Sequence, residues 1–501
     1  MKLTELTSPA VTAGPASPPG TNRAPPLADP EIVGLTADSR QVKPGFLFTA
    51  LQGVQRDGRA FAGEAVARGA IAILTDDPAA LALGPDESRR TVIIADANPQ
   101  RRLALIAARF YRRQPPTIAA VTGTNGKTSV AHFTREIWTT LGYPAASLGT
   151  LGLVSPAGRR AGALTTPDPV GLHRDLAELA ESGVDHAAIE ASSHGLAQCR
   201  LDGVAVAAAA FTNLTRDHLD YHGDMDSYRA AKERLFTDLL MPEGPAILNA
   251  DSPEFARLAA LCRENGHPVI AYGRAAGAEL RILDRLPRPF GQCITAEFFG
   301  ERHTLELPLV GEFQAMNVLA ALGLVVASGV ARDAALPALS GLSGVPGRMQ
   351  LVGESAAGAP VFVDYAHTPD ALASVLAALR PHAERRLAIV FGAGGDRDRG
   401  KRPLMGRVAA ELADLVYVTD DNPRSEKPAE IRRAILAAAP RAIEIGDRRA
   451  AIAAAIAELR RGDVLVIAGK GHETGQIVGS DILPFDDAAV AREALGPDGS
   501  A

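Results

Sequence analysis

The run Val121-Thr122-Gly123-Thr124-Asn125-Gly126-Lys127-Thr128-Ser129 holds the residue types and spacing that speak most directly of chemistry. It follows an apolar stretch from Thr117 that reads as a strand, and it opens a pattern from Lys127 to about Leu141 that reads as a helix. Gly123 and Gly126 let backbone N–H groups face an anion, and the helix N-terminus adds its positive dipole. Lys127 would reach terminal phosphates, and the Thr128 hydroxyl suits Mg²⁺. A general phosphate loop carries a further glycine where Val121 stands, but the Gly-Lys-Thr core is intact. Residues 123–129 therefore read as a site for ATP or GTP.

Other groups need an element to aim them. Glu190 ends the apolar strand His186 to Glu190, where a carboxylate serves either as a hard ligand for Mg²⁺ or as a cap for a neighbouring helix. His218 and His222 stand four apart with Asp217 and Asp220 nearby, which raises a zinc site. The zincin pattern needs Glu directly after the first His, and Leu219 stands there. Lys232, on a helical stretch beside Glu233, reads by itself as a solvated lysine. Arg200, with the hydroxyls of Thr165, Thr166 and Ser192 and the amide of Gln198, suits an anionic, peptide-bearing substrate. Farther on, Arg397 and Arg424 could grip a carboxylate by forked hydrogen bonds while Glu473 holds an ammonium. That combination fits an amino acid with a second amino-carboxylate end, although such residues also serve as caps and surface ion pairs.

The elements around these residues describe an α/β protein. The chain has 501 residues, enough for about three domains, with 47% hydrophobic and 22% charged residues. Lys plus Arg number 52 against 58 Asp plus Glu, a net charge of −6, which speaks against a nucleic-acid coat or an anionic-membrane binder. No apolar run reaches the roughly 18 residues of a membrane span; the longest candidate, Val318 to Ala331, reads as a buried helix. Cys199, Cys262 and Cys293 lack any CxxC spacing, so neither a disulfide framework nor a cysteine zinc site is supported. Residues 1–30 hold seven prolines and no secretory pattern; they read as a disordered extension of a cytoplasmic protein.

Domain 31–114 contains strands at Phe46–Ala50 and Ile71–Thr75 and a helix at Phe61–Arg68. Domain 115–343 contains the phosphate loop, strands at His186–Glu190 and Val204–Thr212, and a helix from Met225 to Leu240. Domain 344–501 alternates strands at Val361–Asp364, Leu387–Phe391, Leu415–Thr419 and Val464–Ala468 with Ala-rich helices, an open and mostly parallel sheet. A dinucleotide fingerprint after Phe391 fails, because its third Gly falls at Arg397.

The Thr122-to-Thr128 form of the loop resembles the Mur ligase superfamily, and further landmarks appear in order. They are Glu190 to Leu196, Thr212 to His222, Asn249-Ala250-Asp251 and Gly311 to Asn317. The resemblance implies three α/β domains: a small nucleotide-sugar-binding domain, a central ATPase domain and a Rossmann-like C-terminal domain. It implies ATP at Gly123, Thr124, Asn125, Gly126, Lys127, Thr128 and Ser129, with Mg²⁺ held by Thr128, Glu190, His218 and Lys232, the last as a carbamate. Lys127, Glu190, His218 and Lys232 are then the catalytic set. It implies UDP-N-acetylmuramoyl-L-alanyl-D-glutamate at Ser39, Val54, Gln55, Arg56, Thr165, Thr166, Ser192, Gln198 and Arg200. Within the family, Asp421-Asn422-Pro423-Arg424 looks like the signature for adding meso-diaminopimelate, with Arg397, Gly469 and Glu473; lysine-adding relatives typically lack this arginine. The implied activity is ATP-dependent amide ligation in peptidoglycan precursor synthesis. A regulatory protein with a phosphate loop is the alternative from another class.

Overall fold

Parallel strands covered on both faces are near-continuous apolar runs, and the computed structural model places such runs at the centre of every large sheet. The structure describes residues 1–8, 29–53, 56–162, 164–288 and 290–496. The chain divides into two compact units. One comprises Met1–Lys127, Gly142–Ala246 and Ala256–Val269; the other comprises Thr128–Leu141, Ile247–Phe255 and Ile270–Ala501.

The first unit opens with a four-stranded parallel sheet in the order Gly34–Thr36, Phe46–Thr49, Ala70–Thr75 and Val92–Ala95. The disordered extension expected over 1–30 needs correction at its start. Leu3–Thr7 form a short helix whose Leu3 and Leu6 are buried against Ile32, Leu103 and Ile106. The Met1 amino group donates to Ile32 O at 2.9 Å, and Leu3 N donates to Pro30 O at 3.0 Å. An apolar pair three residues apart is enough to dock one helical turn on a larger helix, here Pro99–Tyr111. The rest of that expectation, residues 9–28, lies outside the described residues.

The same unit contains strands in the spatial order Val206–Phe211, Thr117–Thr122, His186–Glu190, Ala145–Gly149, Gly152–Ser155 and Gly158–Arg160. The first four run parallel, and the last two fold back antiparallel. Thr122 and Glu190 thus end neighbouring parallel strands, and ligand-facing residues of such sheets gather at these carboxyl ends. The helix expected from Met225 to Leu240 is α-helical over Met225–Arg234 and closes in a π-helical turn, Leu235–Leu239.

The second unit contains an antiparallel meander, Leu280–Arg288, Gly291–Phe298 and Glu301–Leu307, and the buried helix Glu312–Ala327. Its C-terminal sheet has the order Gln350–Glu354, Pro360–Asp364, Val464–Ala468, Leu387–Phe391, Leu415–Val418 and Ile443–Glu444. The four expected strands form its parallel centre. Two edge strands complete it, and Gln350–Glu354 runs antiparallel. Apolar residues fill both of its faces, Phe362, Ile389 and Phe391 on one and Val361, Val390 and Ile467 on the other. Among the described residues no helix is long and apolar enough to cross a membrane.

Candidate active site

The loop between Thr122 and Lys127 is held in shape by its neighbour strand before any ligand arrives. Thr124 N donates to Asn213 O and Asn125 N to Asn213 Oδ1, both at 2.9 Å, while Thr212 Oγ1 donates to Asn125 O at 2.5 Å. Gly123 has φ +148°, and a Cβ there would lie 1.9 Å from Thr212 Oγ1, so only glycine fits. Lys127 Nζ folds back onto Gly123 O at 2.9 Å and Thr124 O at 2.8 Å. Thr128 and Ser129 begin the helix Lys127–Thr140 and are buried.

Lys232 is a buried residue, which overturns its reading from sequence as a solvated lysine. It is 2% exposed and donates to the same Gly123 O at 2.8 Å, with its Nζ 4.3 Å from the centre of the Tyr228 ring. Burial, and then the positive charge of Lys127, holds its ammonium well below the usual lysine range. An amine that loses its proton readily is the form that reacts with CO₂.

Glu190 is 2% exposed at the end of its strand. Its Oε1 accepts from Thr150 N at 2.7 Å and its Oε2 from Thr150 Oγ1 at 3.2 Å. Gly149 makes the room: a Cβ there would lie 2.0 Å from Oε1. Thr150 Oγ1 also meets Thr165 Oγ1 at 3.1 Å. Thr166 Oγ1 donates to Glu190 O at 2.7 Å and lies 2.9 Å from Ser192 Oγ. Arg200 donates to Thr166 O at 2.7 Å and to Gln198 Oε1 at 2.6 and 3.1 Å. The structure therefore joins Glu190, Thr165, Thr166, Ser192, Gln198 and Arg200 into one hydrogen-bonded group. Burial lowers the Arg200 pKa, and a desolvated guanidinium is a strong recognition point for an anion.

His218 adopts φ +53° and leaves its ring half exposed. It lies edge-on to His194, with centroids 4.9 Å apart, and within 6.2 Å of Tyr228. His194 contacts Tyr221 at 4.2 Å and His222 at 5.5 Å, and His222 contacts Tyr228 at 5.1 Å. Tyr228 OH meets Thr124 Oγ1 at 3.1 Å, which links this ring cluster to the phosphate loop. Sequence reasoning missed Thr150, His194, Tyr221 and Tyr228; His194 and Tyr221 lie inside family landmarks but carried no assigned role. Among the described residues there is no group of three or more His, Cys, Asp or Glu that could hold a metal ion.

The N-terminal candidates are placed less tellingly. Ser39 is buried and donates to Glu64 Oε2 at 3.2 Å, and Arg56 is exposed. Val54 and Gln55 lie outside the described residues.

The amino-acid candidates converge at the carboxyl ends of Leu415–Val418 and Val464–Ala468. Arg424, with φ +51°, donates through Nη1 to Gly395 O at 2.8 Å. A Cβ on Gly394 would lie 2.8 Å from Arg424 Nη1 and 3.8 Å from Arg397 Cγ, so both arginines border that glycine. Among the described residues Arg397 makes no hydrogen bond or ion pair, whereas Arg399 and Arg402 pair with Glu426, and Asp420 pairs with Arg432. Gly469 has φ +117° and sits where a Cβ would be 2.7 Å from Asp421 Oδ2. Pro423 is buried, and its carbonyl packs on Gly395. Asn422 Nδ2 donates to Glu473 Oε2 at 2.9 Å. The hairpin Gly475–Val478 and Asp481–Pro484 braces this segment: Gln476 Nε2 donates to Asp421 O at 2.7 Å, and Arg424 N donates to Ile477 O at 3.0 Å. Lys470, also missed, lies fully buried beside Glu473.

Comparison with known proteins agrees with this arrangement along the chain. Residues 31–111 match the model of the Mur ligase family, catalytic domain. Residues 121–325 match the Mur ligase middle domain, and 347–471 the Mur ligase, glutamate ligase domain. A UDP-N-acetylmuramoyl-L-alanyl-D-glutamate--2,6-diaminopimelate ligase of Bradyrhizobium diazoefficiens is 55% identical over 94% of this chain and 96% of its own length. One from Caulobacter vibrioides is 54% identical over 93% and 96%. A solved structure of an enzyme of the same name aligns with 99% of both chains at a TM-score of 0.72 and 32% identity. With all three of its segments matched and relatives above 50% identity over nearly its full length, the chain belongs to the Mur ligase family.

Proposed function

We propose that this chain joins meso-diaminopimelate to the D-glutamate of UDP-N-acetylmuramoyl-L-alanyl-D-glutamate, consuming ATP, in the cytoplasmic synthesis of peptidoglycan precursors. The observation that carries the reading is the Asp421–Arg424 segment held against Glu473, with Arg397 beside it, a site with cationic and anionic ends. The names of relatives at 54–55% identity support the same substrates. We assign nucleotide-sugar binding to residues 31–114, ATP chemistry to 115–343 and amino-acid recognition to 344–501.

The side-chain carboxylate of D-glutamate attacks the γ-phosphorus of ATP; the bond to the bridging oxygen breaks, leaving an acyl phosphate and ADP. The free amine of diaminopimelate then attacks the activated carbonyl, phosphate departs with the C–O bonding pair, and the amine loses its proton as the amide forms. Lys127 exchanges its two carbonyl contacts for phosphate oxygens, and the loop N–H groups hold those oxygens in place. Arg200, fixed by Gln198 and Thr166, binds the anionic peptide of the acceptor. Arg397 and Arg424 take the distal carboxylate of diaminopimelate, and Glu473 takes the ammonium beside it.

The donor set fits Mg²⁺. Glu190 offers a buried carboxylate, Thr128 a hydroxyl, and Lys232 a buried amine with the low proton affinity that carbamate formation needs. With His218, these residues would hold the ion, which supplies charge neutralisation on the transferring phosphoryl group.

The test is a ligation assay read by mass spectrometry, with ATP, Mg²⁺, the UDP-linked dipeptide and either meso-diaminopimelate or L-lysine. Tripeptide with diaminopimelate alone is the expected result. Product mainly with lysine would keep the ligase and overturn the amino-acid assignment. Folded, ATP-binding protein that makes neither product would favour a regulatory protein.

A further inference from the structure

Lys470 is a buried charge that the chemistry above leaves without a task. It is 0% exposed, and its Nζ donates to Asn422 Oδ1 at 3.0 Å and to Glu473 Oε2 at 3.1 Å. A desolvated ammonium has three donors and no acceptor, and it is tolerated only when it is paired and hydrogen-bonded. The partners here are two residues of the amino-acid site. The Asn422 amide is locked in one orientation: its Oδ1 also accepts from Ile477 N at 3.0 Å, and its Nδ2 donates to Glu473 Oε2 at 2.9 Å. A flipped amide would set oxygen against carboxylate and NH₂ against ammonium, so the network closes in one way only.

Two consequences follow from which atoms are used. Both donors fall on Oε2 of Glu473, which leaves Oε1 to a ligand ammonium, on a side chain that keeps 35% exposure. Asn422 stands two residues before Arg424, whose backbone N is tied to Ile477 O in the same hairpin. One buried ammonium thereby fixes the position of the anionic end of the site and the segment carrying its cationic end.

We propose that Lys470 is a positioning residue of the amino-acid site, which holds Glu473 and Asn422 at the spacing that selects a diamino-dicarboxylic acid over a monocarboxylate such as lysine. The proposal rests on the reading of this site as the diaminopimelate site. Loss of Lys470 frees Glu473 Oε2 to turn toward other donors and releases the Asn422 amide, so the two ends of the site lose their register.

The experiment is steady-state ligation by wild type, Lys470→Met, Glu473→Gln and the double variant. We expect Lys470→Met to raise the KM for diaminopimelate about tenfold or more, with the KM values for ATP and the UDP-linked dipeptide within about twofold, and to narrow the preference over L-lysine. Because Lys470 acts through Glu473 as well as Asn422, the KM rise in the double variant should fall short of the product of the two single rises. A folded Lys470→Met protein with the wild-type KM and preference would overturn the proposal, as would a double variant whose effects multiply. Should Lys470→Met alone fail to fold, the double variant, in which neither charge of the pair remains, is compared with Glu473→Gln directly: a further KM rise below about tenfold, the effect expected of Lys470 alone, supports the proposal, and a further rise of about tenfold or more overturns it. Wild-type protein that makes no product with diaminopimelate would remove the reading beneath; wild-type activity with an unaffected Lys470→Met would remove this inference alone.

Discussion

Asp487→Ala isolates the cost of a buried charge in this fold. Arg448 and Asp487 are both 0% exposed and meet through two hydrogen bonds of 2.7 Å. Removing the carboxylate strands a guanidinium that has no route to water. Breaking such a pair from one side costs about 3–5 kcal/mol. For a folding unit of ~150–250 residues, about 2–4 °C per kcal/mol, the unfolding transition of the C-terminal sheet should fall by roughly 6–20 °C. The companion variant, Arg448→Met/Asp487→Leu, removes both charges and keeps the volume. Replacement of a whole buried pair by apolar residues is often neutral or better, so most of the loss should return.

Affinity should not return with it. Arg448 also donates to Ala468 O at 2.9 Å and to Asp420 O at 3.4 Å, the carbonyls just before Gly469 and Asp421. It ties together the two strand ends that carry the amino-acid site, so the double variant should keep a raised KM for diaminopimelate. The assay is denaturant and thermal unfolding of wild type and both variants, followed by KM. A shift below about 1 kcal/mol for Asp487→Ala, or a double variant no more stable than the single, would refute the reasoning.

Four further outcomes are expected. Lys127→Ala should abolish turnover while leaving the cooperative unfolding transition in place, checked by ligation assay and calorimetry. Arg424→Ala should raise the KM for diaminopimelate about 10- to 100-fold, since hydrogen bonds to charged groups carry ~1.5–3 kcal/mol, and normal saturation would contradict the assignment. Gly149→Ala should push the Glu190 carboxylate off Thr150, because the added Cβ would lie 2.0 Å from Oε1; kcat should drop by about tenfold or more, and an unchanged kcat would sink the placement. His173 is buried with Nε2 3.0 Å from Asp202 O, and burial lowers its pKa from 6.5 to about 4. The unfolded chain binds this proton first, so stability is fully present above the unfolded pKa and is lost as pH falls from about 6.5 toward 4, by about 3 kcal/mol at most. His173→Gln should flatten the wild-type fall in denaturation midpoint across that window, and an equal slope in both proteins would contradict it.

The phosphate loop was legible because everything it needs is local: a strand, two glycines, a lysine and a helix within a dozen residues. The parallel centres of the sheets were legible for a related reason, since strands buried on both faces leave unbroken apolar runs such as Leu387–Phe391 and Val464–Ala468. Edge strands leave no such trace. Gln350–Glu354 offers a single apolar side chain to each face, Leu351 to one and Val352 to the other, and Ile443–Glu444 is two exposed residues, so neither stands out from a loop. The Leu3–Thr7 helix was hidden by the proline-rich residues after it, although Leu3 and Leu6 belong to a core formed with residues a hundred positions away.

Sequence alone determined the chemistry on offer here: a phosphate loop, strand-end carboxylates, arginines after strands, and the order of landmarks that marks the family. Tertiary structure alone decided which of those groups are buried and which atoms they meet. Lys232 and Lys470 look like any surface lysine in the sequence, yet one shares Gly123 O with Lys127 across more than a hundred residues and the other clamps Asn422 and Glu473. Glu190 depends on Thr150, forty residues earlier, for the orientation of its carboxylate. Local pattern reports how a segment pairs with itself and with water. A charge withdrawn from water takes its meaning from partners that only the folded chain brings within 3 Å.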